Sequence, residues 1–146
     1  MPTRRTMLRK LDVPAVEAAI ARAEARTSAE LRVSIAPWFW GSVRRTAERA
    51  FARLGLTNTR ERNGVLIFVA PARRSFVVLG DEGIHARVGQ VYWDQLVAEL
   101  GRAFRSGNYT QGLIRVVERL GERLAESFPA DASDNPDELS NAIDGA

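Results

Sequence analysis

A chain of 146 residues that is 45% hydrophobic can bury one full core but is short for two. It has no cysteine and a single histidine, His85, which excludes disulfides, thiolate nucleophiles, cysteine-ligated zinc or iron–sulfur clusters and multi-histidine metal sites. A bound metal would be a hard cation on oxygen ligands, with calcium or magnesium the natural choices. The net charge of +3 conceals an uneven distribution, because residues 1–75 sum to +9 and residues 76–146 to −6.

In chain order, residues 1–10 carry Arg4, Arg5, Arg9 and Lys10 and read as a basic N-terminal arm ahead of a domain over residues 11–129. No apolar stretch of the signal-peptide kind follows them. Asp12, then Val13-Pro14, marks a helix start, and Val13, Val16, Ile20 and Ala23 share one face of a helix running to about Arg26. Leu31, Val33 and Ile35 alternate with Arg32 and Ser34, the pattern of a strand near a sheet edge, closed by Pro37. Ser42 caps a second helix with a stripe of Val43, Ala47, Ala50, Phe51 and Leu54, ended by Gly55.

The loop from Leu56 to Asn63 leads to Val65–Ala70, an unbroken apolar run expected of a central strand covered on both faces. It is the longest apolar run and far too short to span a membrane. Pro71-Ala72-Arg73-Arg74 turns it into a third strand, Ser75–Leu79. After the loop Gly80–His85, a third helix opens at Tyr92-Trp93, with Trp93, Leu96, Val97, Leu100, Ala103 and Phe104 at helical spacing. Ser106-Gly107-Asn108 ends it, and Thr110 caps a last helix with the stripe Leu113, Val116, Val117, Leu120 and Leu124. Residues 130–146 hold five acidic and no basic side chains and read as a mobile or loosely docked tail. The strand–helix–strand unit must be right-handed and parallel, and the hairpin adds an antiparallel strand, so a small mixed sheet with helices on both faces is predicted. The expected state is a soluble, cytoplasmic monomer.

Thr27-Ser28-Ala29-Glu30-Leu31-Arg32-Val33, Arg62-Asn63-Gly64-Val65-Leu66-Ile67-Phe68-Val69, Gly80-Asp81-Glu82-Gly83-Ile84, the stretch from Phe104 to Gly112 and Phe128-Pro129 follow one another at a characteristic spacing. In this the chain resembles the TPM domain family, named from a thylakoid lumen protein, a photosystem II repair protein and a nematode receptor modulator. The likeness spans roughly residues 10–129. The ending Asp134-Asn135-Pro136-Asp137-Glu138-Leu139 is similar to that of a short bacterial subgroup that stands alone. The resemblance implies a three-layer α/β/α sandwich of Rossmann-like type and, for some relatives, calcium or magnesium binding and acid phosphatase activity. Many relatives carry an acid before Asn-Gly where this chain has Arg62, which argues against a metal at that loop.

Asp81, Glu82 and Asn63 are the candidate metal ligands: Asp81 and Glu82 sit just after a strand, where open α/β sheets bind ligands, and Asn63 lies in the loop that leads into the second strand. Alternatively, Asp81 only caps a short helix starting near Gly83, and Asn63-Gly64 is only a turn with a glycine-type backbone. Thr57, Asn58 and Thr59 offer further oxygens, His85 lies beside the carboxylates, and Tyr92 could face the same loop. Arg45, Arg49 and Arg53 recur every fourth residue and, with Arg62, form a candidate anion-binding set or a solvated helix face. No nucleic-acid motif accompanies them. Trp38 and Trp40 are candidate partner-surface residues, or a cover over the end of the core. The expected partner is a protein or a small anionic ligand, in a binding module, a metal-dependent acid phosphatase or an adaptor of a membrane or envelope complex.

Overall fold

The computed structural model describes residues 3–130 and 143–144. Helices α1 (Arg4–Lys10) and α2 (Val13–Glu24) precede strand β1 (Glu30–Ile35). Helix α3 (Val43–Arg53) and a short 3-10 turn (Leu56–Asn58) lead to β2 (Gly64–Ala70), and a second such turn (Pro71–Arg73) joins it to β3 (Ser75–Gly80). Helices α4 (Glu82–Val88), α5 (Gln90–Arg105) and α6 (Tyr109–Ser127) follow, and β4 is the pair Ile143–Asp144.

The sheet order is β3-β2-β1-β4, with β2 and β4 parallel to β1 and β3 antiparallel to β2. Because side chains alternate across a strand, β2 splits the interior in two. Val65, Ile67 and Val69 join Leu31, Val33 and Ile35 in a core covered by α1, α2, α4, α5 and α6. Leu66, Phe68 and Ala70 face the opposite side, where α3 contributes Ala47, Ala50 and Phe51. The result is a three-layer α/β/α sandwich with one helix on one face and five on the other.

Several expectations are corrected. The residues read as a basic arm form α1: Thr3 caps it by accepting from the Thr6 N–H, and Met7 is 0% exposed. Arg32 and Ser34 are buried although β1 alternates in polarity, because both faces of that strand are covered. Thr110 does not cap α6; the helix begins at Tyr109, and the Thr110 hydroxyl accepts from the Asp12 N–H, tying α6 to the start of α2. The third expected helix is α5, which opens at Gln90; most of the expected loop Gly80–His85 is instead the start of α4, capped by Asp81, and the two helices meet at Gly89, whose φ of 87° lies where glycine is favoured. Of the expected tail, residues 131–142 and 145–146 lie outside the described residues.

Candidate functional site

Strands β1 and β2 begin, and β3 ends, at the same edge of the sheet, so the loop before β2 and the start of α4 come together there. Two main-chain bonds join them: the Asp81 N–H donates to the Gly64 carbonyl and the Gly83 N–H to the Arg62 carbonyl, both at 2.9 Å. A Cβ on Gly83 would stand 2.4 Å from the Glu61 carbonyl oxygen, so this approach requires glycine. The Asn-Gly expectation is also corrected: the left-handed residue is Arg62, with φ of 52°. Gly64 is needed instead for space, since its Cβ would meet the Leu56 carbonyl oxygen at 2.5 Å.

That turn aims Arg62 at Asp81. The guanidinium donates from Nε to Oδ2 at 2.7 Å and from Nη2 to Oδ1 at 2.9 Å, a bidentate fork. Asp81 is only 9% exposed and also caps α4, its Oδ1 accepting the Glu82 N–H at 2.8 Å. Glu82 adds a contact of 3.3 Å to Arg62 Nη1 from solvent. The hydrogen bond to Asp81, against some desolvation and with the charges of Asp81 and Glu82, raises the Arg62 pKa, so the guanidinium keeps its charge.

Asn63 points elsewhere. Its Nδ2 donates to Ser28 Oγ at 3.1 Å and to Glu61 Oε2 at 3.4 Å, while Ser28 Oγ donates to the same Glu61 oxygen at 3.1 Å. Its Oδ1 is buried with no hydrogen-bond partner. The proposed ligands Asp81, Glu82 and Asn63 therefore do not converge: both Asp81 oxygens are committed to a guanidinium, and Asn63 belongs to a separate cluster. This donor set does not fit a calcium or magnesium ion. Among the described residues no group of three or more His, Asp or Glu side chains is placed to hold a metal.

Beside the clamp lies a cleft of about 760 Å³ lined by Glu61, Gly83, Ala86, Arg87 and the segment Ser127–Ala130. Arg87 forms one wall, donating to the Ser127 carbonyl at 3.0 Å with its guanidinium 5.2 Å from the Phe128 ring centre. The cleft is held to β1 by the Ser28 N–H, which donates to the Phe128 carbonyl at 2.9 Å. Ser28, Glu61 and Arg87 were not singled out from sequence. Ser28 lies within one of the family-like segments and Glu61 directly precedes another, but nothing local signals Arg87, since its role comes from the end of α6.

The other candidates fall outside this site. Arg45, Arg49 and Arg53 are exposed along α3, across the sheet from α4. Tyr92 faces α6 rather than the loop, its hydroxyl donating to the Arg119 carbonyl at 2.8 Å. His85 is exposed, with its ring 5.4 Å from that of the buried Trp93. Thr59 acts structurally, its hydroxyl accepting the Asn63 N–H at 3.0 Å. Trp38 and Trp40 occupy the opposite end of the sheet.

Fold and site define a small three-layer α/β/α domain whose strand-end loops are closed by an arginine–carboxylate clamp beside an open cleft. The chain belongs to the TPM domain family, which matches residues 4–123. The structure is similar to the NMR structure of the BA42 protein from the psychrophilic bacterium Bizionia argentinensis, with 38% identity over 90% of each chain and a TM-score of 0.82. No match was found among curated proteins. Because the family match starts at residue 4, α1 lies within the matched region.

Proposed function

We propose that this TPM domain is a ligand- or partner-binding module that uses the cleft beside the Arg62 loop, and that it does not hydrolyse phosphate esters through a bound calcium or magnesium ion. The carrying observation is the clamp: both oxygens of Asp81 are held by Arg62, and one also accepts the Glu82 N–H. A carboxylate so engaged has little capacity left to ligate a cation or take a proton from water, and a fixed positive charge stands where a divalent ion would sit. The cleft supports binding instead. Its lining combines the Glu61 carboxylate, Arg87 and the apolar Pro129, a mixture suited to a short protein segment or a small charged ligand.

The test combines aryl phosphate turnover with a backbone NMR titration by calcium, magnesium and inorganic phosphate. The expected result is turnover no greater than background and no calcium or magnesium shifts at residues 62, 81 and 82. Calcium- or magnesium-dependent turnover that disappears in Asp81→Ala with the fold intact would establish the hydrolase reading in its place.

A further inference from the structure

The end of the sheet away from the cleft carries two large exposed hydrophobic side chains, Trp38 at 57% and Trp40 at 81% exposure. They project from the loop after β1, packed edge to face with ring centres 4.5 Å apart. Phe39 between them turns inward to Phe68, at 6.1 Å between centres. The loop is pinned from the hairpin, because Arg73 Nη2 donates to the carbonyls of Phe39 at 3.1 Å and Gly41 at 2.6 Å, with its guanidinium over the Phe39 ring. Arg4 donates to the Ile35 carbonyl at 2.8 Å, which brings the start of α1 to the same end.

The three segments that meet at this end carry cations: Arg44 and Arg45 in the first turn of α3, Arg73 and Arg74 in the hairpin, and on α1 the half-buried Arg4, already engaged with the Ile35 carbonyl. The stretches 1–11, 31–47 and 70–80 contain no Asp or Glu. The first turn of a helix favours carboxylates, so two arginines at the start of α3 add to the positive helix terminus instead of balancing it.

We propose that this end of the molecule is a docking surface for an anionic lipid bilayer, with Trp38 and Trp40 entering the headgroup layer and the surrounding arginines pairing with lipid phosphates. Tryptophan is the residue that settles at a membrane interface, where its ring is apolar and its N–H stays wet. Basic residues beside it draw the protein to negatively charged lipid within a Debye length. A flat field of phosphates answers cations supplied from three segments. The proposal concerns a surface remote from the cleft and stands or falls separately from the cleft's function.

The test is co-sedimentation of the full chain with phosphatidylcholine vesicles with and without phosphatidylglycerol, read alongside tryptophan emission. Binding to the anionic vesicles alone, a blue shift of emission and quenching by brominated lipid are expected. Raising the salt should weaken binding, and Arg44→Ala should weaken it by about fivefold. Trp38→Ala with Trp40→Ala should abolish it while the emission of buried Trp93 reports an intact fold. No binding to anionic vesicles, binding that survives the double tryptophan variant, or binding only to a single-stranded oligonucleotide would each overturn the proposal.

Discussion

Tyr92 shows how one partly buried polar group links two helices and ties their packing to pH. Its hydroxyl reaches the Arg119 carbonyl on α6, and Arg119 and Arg123 flank its ring at 5.9 and 5.2 Å. Burial raises its pKa above the ordinary 10.0, outweighing the opposing pull of the two arginines. The folded protein therefore holds the phenolic proton more tightly than the unfolded chain does, so this contribution to stability is complete below pH 10 and is lost as pH rises through the higher folded-state value. Tyr92→Phe removes both the hydrogen bond and the titration. It should cost about 1 kcal/mol near neutrality, or about 2–4 °C in Tm. The deficit should shrink as the pH passes 10. Thermal melts of both proteins at neutral and strongly alkaline pH measure this, and an unchanged difference would mean that the phenol does not titrate with folding.

Among the elements, the most legible in sequence were those whose local pattern agrees with their final burial. The unbroken apolar run of β2 became the strand buried on both faces, and the stripe from Leu113 to Leu124 became the inner face of α6. The first helix did not advertise itself, because four of its seven residues are basic and only Met7 is fully buried. Its place is decided by contacts with α6 and with the hairpin, far away in sequence. The clamp was legible only in parts. Arg62 and Asp81 each stood out in their own loops, but their pairing across 19 positions depends on the left-handed turn at Arg62 and on the absence of a side chain at Gly83. If α1 is a structural part of the domain, Met7→Ala should cost about 2–5 kcal/mol by the usual cavity penalty. Urea unfolding would show it as a lower midpoint at unchanged slope. A change within about 0.5 kcal/mol would mark α1 as a dispensable arm.

Across the whole molecule, the two ends of the sheet treat charge in opposite ways. At the Trp38 end, residues 1–11, 31–47 and 70–80 carry arginines and no carboxylate. At the cleft end, Arg62 pairs with both Asp81 and Glu82 and offsets one of their two negative charges. If Arg62 does the work of a bound cation, reversing its charge should restore the demand for one. Arg62→Glu would place a third carboxylate beside the nearly buried Asp81 and the exposed Glu82, and like charges so close cannot all remain ionised without a counter-ion. The variant should melt below the parent in chelator, and calcium should recover it, since a ligand at 100 times its Kd stabilises the folded state by about 2.7 kcal/mol. The parent should melt at the same temperature with calcium and with chelator. Calcium stabilisation of the parent would show that the guanidinium yields its place to a metal, and failure of calcium to rescue the variant would show that the loop cannot form a cation site even with the added carboxylate.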